Sequence, residues 1–225
     1  MINPIDDIVG IIPIKEHSER VPEKNFRKLG GALLWMYPVA RLDGCGVVNR
    51  IVINTDCPDR IERIVSSIPI EIDVRDPELC GDDVSMNRII ADVVRRYPAN
   101  IYVQTHATNP FVSVQTILRA VGIVKSGTAE SVFSVTRHQS RFYDADGKAI
   151  NHDRTKLIKT QDLPPLFEEN SAVYVFTRSA FAATGRRICG LRCPMEIPAI
   201  EAIDIDDEDD WKLASLLAEA LSKNT

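Results

Sequence analysis

Short apolar runs rich in β-branched residues alternate along this chain with segments in which apolar residues recur every three or four positions. The first kind predicts strands, at residues 8–14, 50–54, 70–74, 100–104, 131–136 and 172–176. Residues 8–14 contain no polar side chain, which is typical of a strand buried on both faces of a sheet. The alternation predicts an α/β fold with a mostly parallel sheet and helices on both faces.

The second kind of segment predicts amphipathic helices. The clearest spans 85–97, where Met86, Ile89, Ile90, Val93, Val94 and Tyr97 form one apolar stripe and Pro98 follows. Further helices are predicted at 58–66, at 113–125 with Ser113 as the N-cap, and at 33–42, which Pro38 should kink or shorten. A closing helix at 207–222 should face inward with Trp211, Ala214, Leu217, Ala218 and Leu221.

The pattern changes between residues 137 and 169. Asp144-Ala145-Asp146-Gly147 is a hairpin-turn signal, and its flanks are polar with scattered aromatics and prolines. We therefore predict a protruding β-hairpin arm at 137–169, inserted in a single domain that spans 1–225. A two-stranded ribbon is only marginally stable alone, so we expect the arm to pack against a second subunit in a homodimer.

Composition narrows the function classes. The 225 residues are 44% hydrophobic and 26% charged, which suits one sizeable core, and the net charge of −5 argues against nucleic acid and membranes as partners. No apolar run is as long as a membrane span, and the N-terminus lacks the features of a signal peptide. The five cysteines are scattered and odd in number, which fits a reducing compartment, so we expect a cytoplasmic protein.

A basic loop follows the first predicted strand of this acidic chain. It carries Lys15, Arg20 and Lys24, and parallel sheets bind ligands beyond the carboxyl ends of their strands. The loop lacks the glycine patterns of a P-loop or a dinucleotide fingerprint, so side-chain cations would hold the ligand. The loop predicts a polyanion site; the alternative is a solvated basic turn.

Asp204-Ile205-Asp206 precedes the closing helix. In an extended segment residues two apart project to the same side, so both carboxylates could reach one hard cation such as Mg²⁺, which commonly takes one or two carboxylates together with substrate phosphates. The alternative is favourable charge at a helix N-terminus, which explains the acidic run from Asp207 onward but not Asp204. If the metal interpretation holds, Mg²⁺ would link these aspartates to phosphates held by the basic loop.

Six stretches in order along the chain resemble the CMP-sugar synthetases, the acylneuraminate and KDO cytidylyltransferase family. They are Ile12-Pro13-Ile14-Lys15 with Ser18, Arg20, Pro22 and Lys24-Asn25; Arg75-Asp76-Pro77-Glu78-Leu79; Gln104 to Pro110; Gln161-Asp162-Leu163-Pro164; Asn170-Ser171-Ala172-Val173-Tyr174; and Ile203-Asp204-Ile205-Asp206. The resemblance implies a Rossmann-like fold of the nucleotide-diphospho-sugar transferase type and an arm that forms the dimer contact.

The resemblance also implies roles for individual residues. Those expected at the nucleotide are Lys15, Ser18, Arg20, Lys24, Asn25, Arg75, Asp82 and Ser85, with Lys24 and Lys15 also catalytic. Those expected at the acceptor are Gln104, His106, Thr108, Asn109, Gln161 and Asn170, and those expected at Mg²⁺ are Asp204 and Asp206. Ser85 can equally be a helix N-cap, and a lone histidine such as His106 can be structural.

The chain departs from the family pattern mainly on the acceptor side. Lys15 replaces an arginine, and His106, which could act as a base, replaces an amide. Thr160 stands where the family pattern has arginine and Glu168 where an arginine is sometimes found, so cations are lost from the pocket expected for the acceptor's carboxylate. Lys156, Lys159, Arg137 or Arg141 could substitute for them.

The expected reaction is attack by an acceptor hydroxyl on the α-phosphorus of CTP, with release of pyrophosphate and formation of a CMP-activated, nonulosonic-type sugar acid. Three alternatives stay open. The acceptor could be another acid such as a phosphonate, the chain could be a noncatalytic nucleotide-binding protein of the same fold, or it could be a glycosyltransferase with an Asp-x-Asp metal motif.

Overall fold

A seven-stranded sheet organises the chain in a computed structural model that describes residues 7–63 and 70–223. Its strands are β1 (Ile8–Ile14), β4 (Arg50–Thr55), β5 (Ile70–Val74), β6 (Ile101–Thr105), β7 (Ser131–His138), β8 (Leu166–Thr177) and β9 (Arg192–Glu196). The spatial order is β5-β4-β1-β6-β8-β7-β9. Within the described residues only β8 runs antiparallel to its neighbours, so the predicted mostly parallel sheet is confirmed.

Helices cover both faces of the sheet, as predicted. They are α1 (Met36–Gly44), α2 (Pro58–Glu62), α3 (Met86–Arg96), α4 (Val114–Lys125), α5 (Arg178–Thr184) and α6 (Glu208–Ser222). Buried residues of α1 and α4 share one core cluster with one face of the sheet, while buried residues of α3 and α5 share a second cluster with the other face. The apolar stripes predicted for 85–97 and 113–125 therefore pack in two different cores.

The register of the first three strands aligns their carboxyl ends. Ile14 pairs with Thr55, and Thr55 pairs with Val74. The residues that follow these strands, Lys15, Asp56 and Arg75, consequently begin at one edge of the sheet. Loops that meet at such an edge form the usual ligand site of an α/β sheet.

Several elements differ from the sequence-based expectations. β8 extends beyond the predicted 172–176, and α1 begins at Met36, which puts Pro38 in its first turn, where proline is tolerated. Leu221 of α6 is 44% exposed and does not face inward. The helix expected at 58–66 is present as α2 up to Glu62, and residues 64–66 lie outside the described residues.

Elements that the sequence analysis missed are short or lie at an edge of the sheet. A two-stranded ribbon of β2 (Lys28–Leu29) and β3 (Ala32–Leu33) follows the basic loop, and α5 and the parallel edge strand β9 follow β8. The ribbon packs near α6, where Leu29, Trp211 and Ala214 belong to a third core cluster. This packing holds the end of the chain against the basic loop.

The arm contains the predicted turn but little regular strand. Asp144 accepts a hydrogen bond from the backbone N–H of Gly147 at 3.0 Å, and one isolated bridge joins Tyr143 to Ala149. The rest of the arm up to β8 includes a 3-10 turn at Thr160–Asp162. Within the described residues, no helix combines the length and the apolar character that crossing a membrane requires.

Candidate active site

The basic loop and the late aspartates meet beyond the carboxyl edge of the sheet. The Lys24 Nζ donates to the backbone carbonyl of Ile205 at 2.6 Å and lies 3.7 Å from the Asp206 Oδ1. The Arg20 guanidinium donates to the same Asp206 oxygen at 2.8 Å. Residues about 180 positions apart in sequence thus form one cluster of cations and carboxylates.

Lys24 is the buried cation of this cluster, with 9% of its surface exposed. Burial lowers the pKa of its ammonium group, while the charges of Asp206 and Asp204 oppose the shift. A charge in such surroundings interacts strongly with a nearby anion because little water screens it. Lys24 is therefore suited to contact an oxyanion that enters beside the aspartates.

The Asp204 carboxylate carries an unsatisfied oxygen. Its Oδ1 is buried and has no hydrogen-bond partner in the described part of the chain. Burial raises the pKa of Asp204, and a hydrogen bond from Thr108 and the charge of Lys24 oppose this rise. A buried carboxylate oxygen without a partner is costly unless a ligand satisfies it.

The Asp204 and Asp206 pair fits a hard divalent cation. The described residues hold no group of three or more histidine, cysteine or acidic side chains arranged for a metal, so the protein's share would be these two carboxylates. Mg²⁺ commonly binds through one or two carboxylates and fills its remaining positions with water and substrate phosphates. The unpartnered Oδ1 of Asp204 is the observation that supports this fit.

Side chains outside the predicted set hold the basic loop in place. The Arg60 guanidinium donates to Glu23 at 2.6 Å and to Glu16 at 3.3 Å, and its Cζ lies 3.8 Å from the centre of the Phe26 ring. Asn25 donates to the carbonyl of Lys15 at 2.7 Å, closing the loop on itself. Arg60 was missed by the sequence analysis because it lies on α2, in a segment that carries no motif.

Other residues predicted at the nucleotide line the adjoining edge of the sheet. Arg75 is buried, and it donates to Asn54 Oδ1 at 2.6 Å and to the carbonyl of Ile14 at 3.1 Å. Burial lowers the pKa of its guanidinium. These bonds tie the ends of β1 and β4 together, which positions the basic loop.

Lys15 and Asp82 form an ion pair across the loop that precedes α3. Ser85 caps α3, since its hydroxyl accepts from the backbone N–H of Asn87 at 3.3 Å. Ser18 lies half-buried in the basic loop, and Asp56 accepts from the backbone N–H of Glu16 at 2.8 Å. The structure therefore confirms that Ser85 is the N-cap of α3.

The loop after β6, residues 106–113, is called the acceptor loop here after the role that the resemblance implies, and a chain of polar contacts leads into it. The Arg187 guanidinium donates to Gln104 Oε1 at 2.7 Å, and the Gln104 amide nitrogen lies 2.6 Å from His106 Nε2. The His106 ring lies edge-on to Tyr174 at 6.4 Å. Because the amide nitrogen is a donor, His106 Nε2 accepts, and the ring is neutral with its proton on Nδ1.

His106 is poorly suited to act as a base. Burial, and then the positive charge of Arg187, lower the pKa of its imidazole to about 3. Its Nε2 also already accepts a hydrogen bond. The ring can instead donate from Nδ1 or pack against a substrate.

The remaining residues predicted at the acceptor differ in how close they lie to the aspartate segment. The carbonyl of Thr108 accepts from the backbone N–H of Ile205 at 2.9 Å, and Asn109 donates to the carbonyl of Ile203 at 3.2 Å, so this loop contacts the aspartate segment directly. The Asn170 amide is buried within 2.6 Å of Ser134 Oγ and 3.1 Å of Thr136 Oγ1. Gln161 lies exposed in the 3-10 turn of the arm, and no hydrogen bond in the described residues joins its side chain to the acceptor loop.

Comparison with known proteins gives a consistent result. The sequence profile described as "Cytidylyltransferase" matches residues 9–196. The chain is 27% identical to a CMP-N,N'-diacetyllegionaminic acid synthase of Legionella pneumophila, covering 94% of this chain and 96% of that protein. It is 24% identical to N-acylneuraminate cytidylyltransferase A of Danio rerio, covering 92% of this chain. It spans only 50% of the length of that zebrafish protein.

Solved structures share the fold at low sequence identity. A CMP:2-keto-3-deoxy-manno-octonic acid synthetase in complex with CTP has a TM-score of 0.63 and 14% identity, over 95% of this chain and 99% of that one. A 4-diphosphocytidyl-2C-methyl-D-erythritol synthase from Anaerococcus prevotii has a TM-score of 0.66 and 10% identity, over 96% of this chain and 99% of that one. With the family profile matching most of its length, this chain belongs to the cytidylyltransferase family.

Proposed function

We propose that this chain transfers CMP from CTP to the hydroxyl of a nonulosonic-type sugar acid, releases pyrophosphate and requires Mg²⁺. The observation that carries the proposal is the contact of Lys24 with Ile205, between Asp204 and Asp206. It joins a buried cation to a carboxylate pair at the ligand-binding edge of the sheet. Membership of the cytidylyltransferase family supports the same reaction class.

In the proposed reaction the acceptor's hydroxyl oxygen forms a bond to the α-phosphorus of CTP, and the bond from that phosphorus to the bridging oxygen of pyrophosphate breaks. The hydroxyl proton passes to solvent, and pyrophosphate leaves. Lys24 and Lys15 stabilise the negative charge on the phosphate oxygens, and the positioned loop fixes the approach of the reactants. Lys15 would exchange its ion pair with Asp82 for the triphosphate.

Asp204 and Asp206 would hold the Mg²⁺. The bound ion supplies positive charge that neutralises the transferring and leaving oxygens. Arg20 and Lys24 already contact Asp206, so a triphosphate entering here would meet cations and carboxylates together. The unsatisfied Asp204 Oδ1 supports this assignment.

The names of the relatives support a sugar acid as the acceptor, since they include a legionaminic acid synthase and an N-acylneuraminate cytidylyltransferase.

We also propose a homodimer formed through the arm at 137–169. Exposed apolar side chains there support a partner, with Leu157 at 96%, Ile150 at 56% and Tyr143 at 51% exposure. Free cysteines support a cytoplasmic location.

A pyrophosphate-release assay with CTP, Mg²⁺ and N,N'-diacetyllegionaminic, N-acetylneuraminic or 3-deoxy-manno-octulosonic acid tests the proposal. We expect Lys24→Met and Asp204→Asn each to lower kcat/KM by about 100-fold or more, because each removes charge stabilisation at the phosphates. Matched controls are Lys28→Met in the exposed part of β2 and Asp209→Asn in the same acidic run. Full activity in Lys24→Met would contradict the assignment, and CTP binding without turnover on any acid would favour the noncatalytic alternative.

A further inference from the structure

The connection between α5 and β9 places one guanidinium, that of Arg187, among neutral groups. Its Nε and its backbone N–H both donate to Asn87 Oδ1, at 3.2 and 3.3 Å. Its Nη1 donates to Gln104 Oε1 at 2.7 Å, and its Cζ lies 4.1 Å from the centre of the Tyr174 ring. Throughout the described residues, no carboxylate lies within ion-pair distance of it and its Nη2 has no hydrogen-bond partner.

This arrangement leaves a half-buried charge that has no ion-pair partner in direct contact, although the charge of the Glu169 carboxylate acts on it from further away. Burial lowers the pKa of Arg187, yet an arginine stays protonated at neutral pH. A desolvated cation costs free energy unless an anion satisfies it. The neutral partners fix the guanidinium plane and leave its Nη2 donors for a further ligand.

Arg187 also borders a cavity of about 390 Å³ with a positive lining. The cavity is lined by Asn87, Glu169, Arg186, Arg187, Ile188 and Arg192. Its single acidic side chain, Glu169, is exposed and accepts a hydrogen bond from the Tyr174 hydroxyl. Three arginines and one glutamate give this cavity a net positive charge.

The cavity adjoins the site of the proposed reaction. Arg187 contacts Gln104, which contacts His106 at the start of the acceptor loop. Two residues further on, the carbonyl of Thr108 accepts from the N–H of Ile205, which lies between the two aspartates. An acceptor anchored at Arg187 could therefore extend along this loop and present its hydroxyl toward the carboxylate pair.

We propose that Arg187 determines acceptor specificity by binding the acceptor's anionic group, a carboxylate or a phosphonate. The inference rests on the proposed function, because it names the acceptor end of that same site. It replaces the expectation that Lys156, Lys159, Arg137 or Arg141 supplies the missing cation. Two of these are engaged elsewhere, since Lys156 pairs with Asp153 and Arg141 donates to the carbonyl of Ile158 within the arm.

The test compares Arg187→Gln and Arg187→Lys with a matched control, Arg178→Gln, an exposed arginine at the opposite end of β8. The probes are the three sugar acids named above, their carboxyl methyl esters, and 2-hydroxyethylphosphonate. Two readouts are used: KM for the acceptor and for CTP in the pyrophosphate assay, and the Kd of each probe by calorimetry. The ester removes the charge from the acceptor, as the glutamine removes it from the protein.

We expect Arg187→Gln to raise KM and Kd for the preferred acid about 10- to 100-fold and to leave KM for CTP within about twofold, because only a charge-assisted bond to the acceptor is lost. Preference for acid over ester should disappear in Arg187→Gln, fall partly in Arg187→Lys, which keeps the charge but not the fork, and persist in Arg178→Gln. Preference for the phosphonate over all sugar acids would identify the phosphonate as the anion.

Three results would overturn the inference. Arg187→Gln could keep the wild-type preference for acid over ester, KM for CTP could rise as much as KM for the acid, or the wild-type chain could bind no acid more tightly than its ester. Failure of the proposed function is a separate result: the wild-type chain would release no pyrophosphate with any probe. Calorimetry would then still show whether Arg187 binds the anion.

Discussion

Replacing His106 with glutamine should remove a loss of stability that the wild-type chain shows as the pH falls below neutral. The Gln104 amide nitrogen lies 2.6 Å from His106 Nε2, and Gln104 Oε1 accepts from Arg187 at 2.7 Å. Protonation of the ring would put an N–H on His106 Nε2 facing the N–H donor of Gln104, and it would place a second positive charge near Arg187. The folded chain therefore holds His106 neutral.

The magnitude follows from proton linkage. The pKa of His106 is lowered from an ordinary 6.5 to about 3 by burial and by Arg187, so between these values the unfolded chain binds a proton that the folded chain does not. The stability is fully present above pH 6.5 and is lost as the pH falls toward the folded pKa. At pH 5 the loss is about 2 kcal/mol for a fully buried ring, and partial exposure reduces it to about 1–2 kcal/mol.

Urea denaturation of the wild-type chain and His106→Gln at pH 8, 7, 6 and 5 measures this effect. The pH 8 values serve as the internal reference, because the ring is then neutral in both states. The gap between the two free energies of unfolding should shift in favour of the variant by about 1–2 kcal/mol from pH 8 to pH 5. Parallel curves across this range would refute a histidine that is held neutral in the folded chain, and with it the amide orientation set by Arg187.

Three further predictions concern the nucleotide side of the site. Ser85→Ala and Ser113→Ala should each lower the free energy of unfolding by about 1 kcal/mol, since each hydroxyl caps a helix. Only Ser85→Ala should also raise KM for CTP, and equal KM values in the two variants would show that Ser85 only caps its helix. Arg60→Gln should raise KM for CTP about 3- to 10-fold, because the basic loop loses the bonds that position it. The free energy of unfolding in urea should fall by about 1 kcal/mol or less, since the ion pairs of Arg60 are exposed. An unchanged KM for CTP would contradict this role of Arg60. Asp204→Asn should leave the free energy of unfolding at pH 7 unchanged or raise it by about 1 kcal/mol, because the variant removes a charge that burial disfavours. A clear decrease in the free energy of unfolding would argue against an unsatisfied carboxylate at this position.

The interior of the sheet could be predicted from the sequence because its strands are apolar on both faces. Residues 8–14 were predicted with the bounds that the structure has, and β4 and β6 were predicted to within one residue at each end. β9 was missed, since an edge strand tolerates the proline and exposed polar residues of Arg192–Glu196, which conceal the usual alternation. The polar start of β8 was missed for the same reason, because the side chains of Phe167, Glu168 and Glu169 are exposed.

On the nucleotide side, the sequence contained enough information because the site is built from residues next to strand ends. Strand order and register then bring Lys15, Asp56 and Arg75 to one edge of the sheet. The convergence of Lys24 with Asp204 and Asp206 was expected from the chemistry of a cation loop and a carboxylate pair together with the family resemblance, since a magnesium-bound triphosphate would need both. What the sequence could not indicate was Arg60, whose position depends on how α2 packs over the loop.

The acceptor side depends on topology that no local pattern reveals. β8 inserts antiparallel between β6 and β7, so that Tyr174 pairs with Gln104, and the segment after α5 reaches both residues through Arg187. Only this arrangement places Arg187 on the Tyr174 ring and against Gln104. If Arg187 binds the acceptor as proposed, a cation that the motif lacks is supplied by a distant segment, and the charge of that pocket follows from the fold of the sheet and not from the motif that borders it.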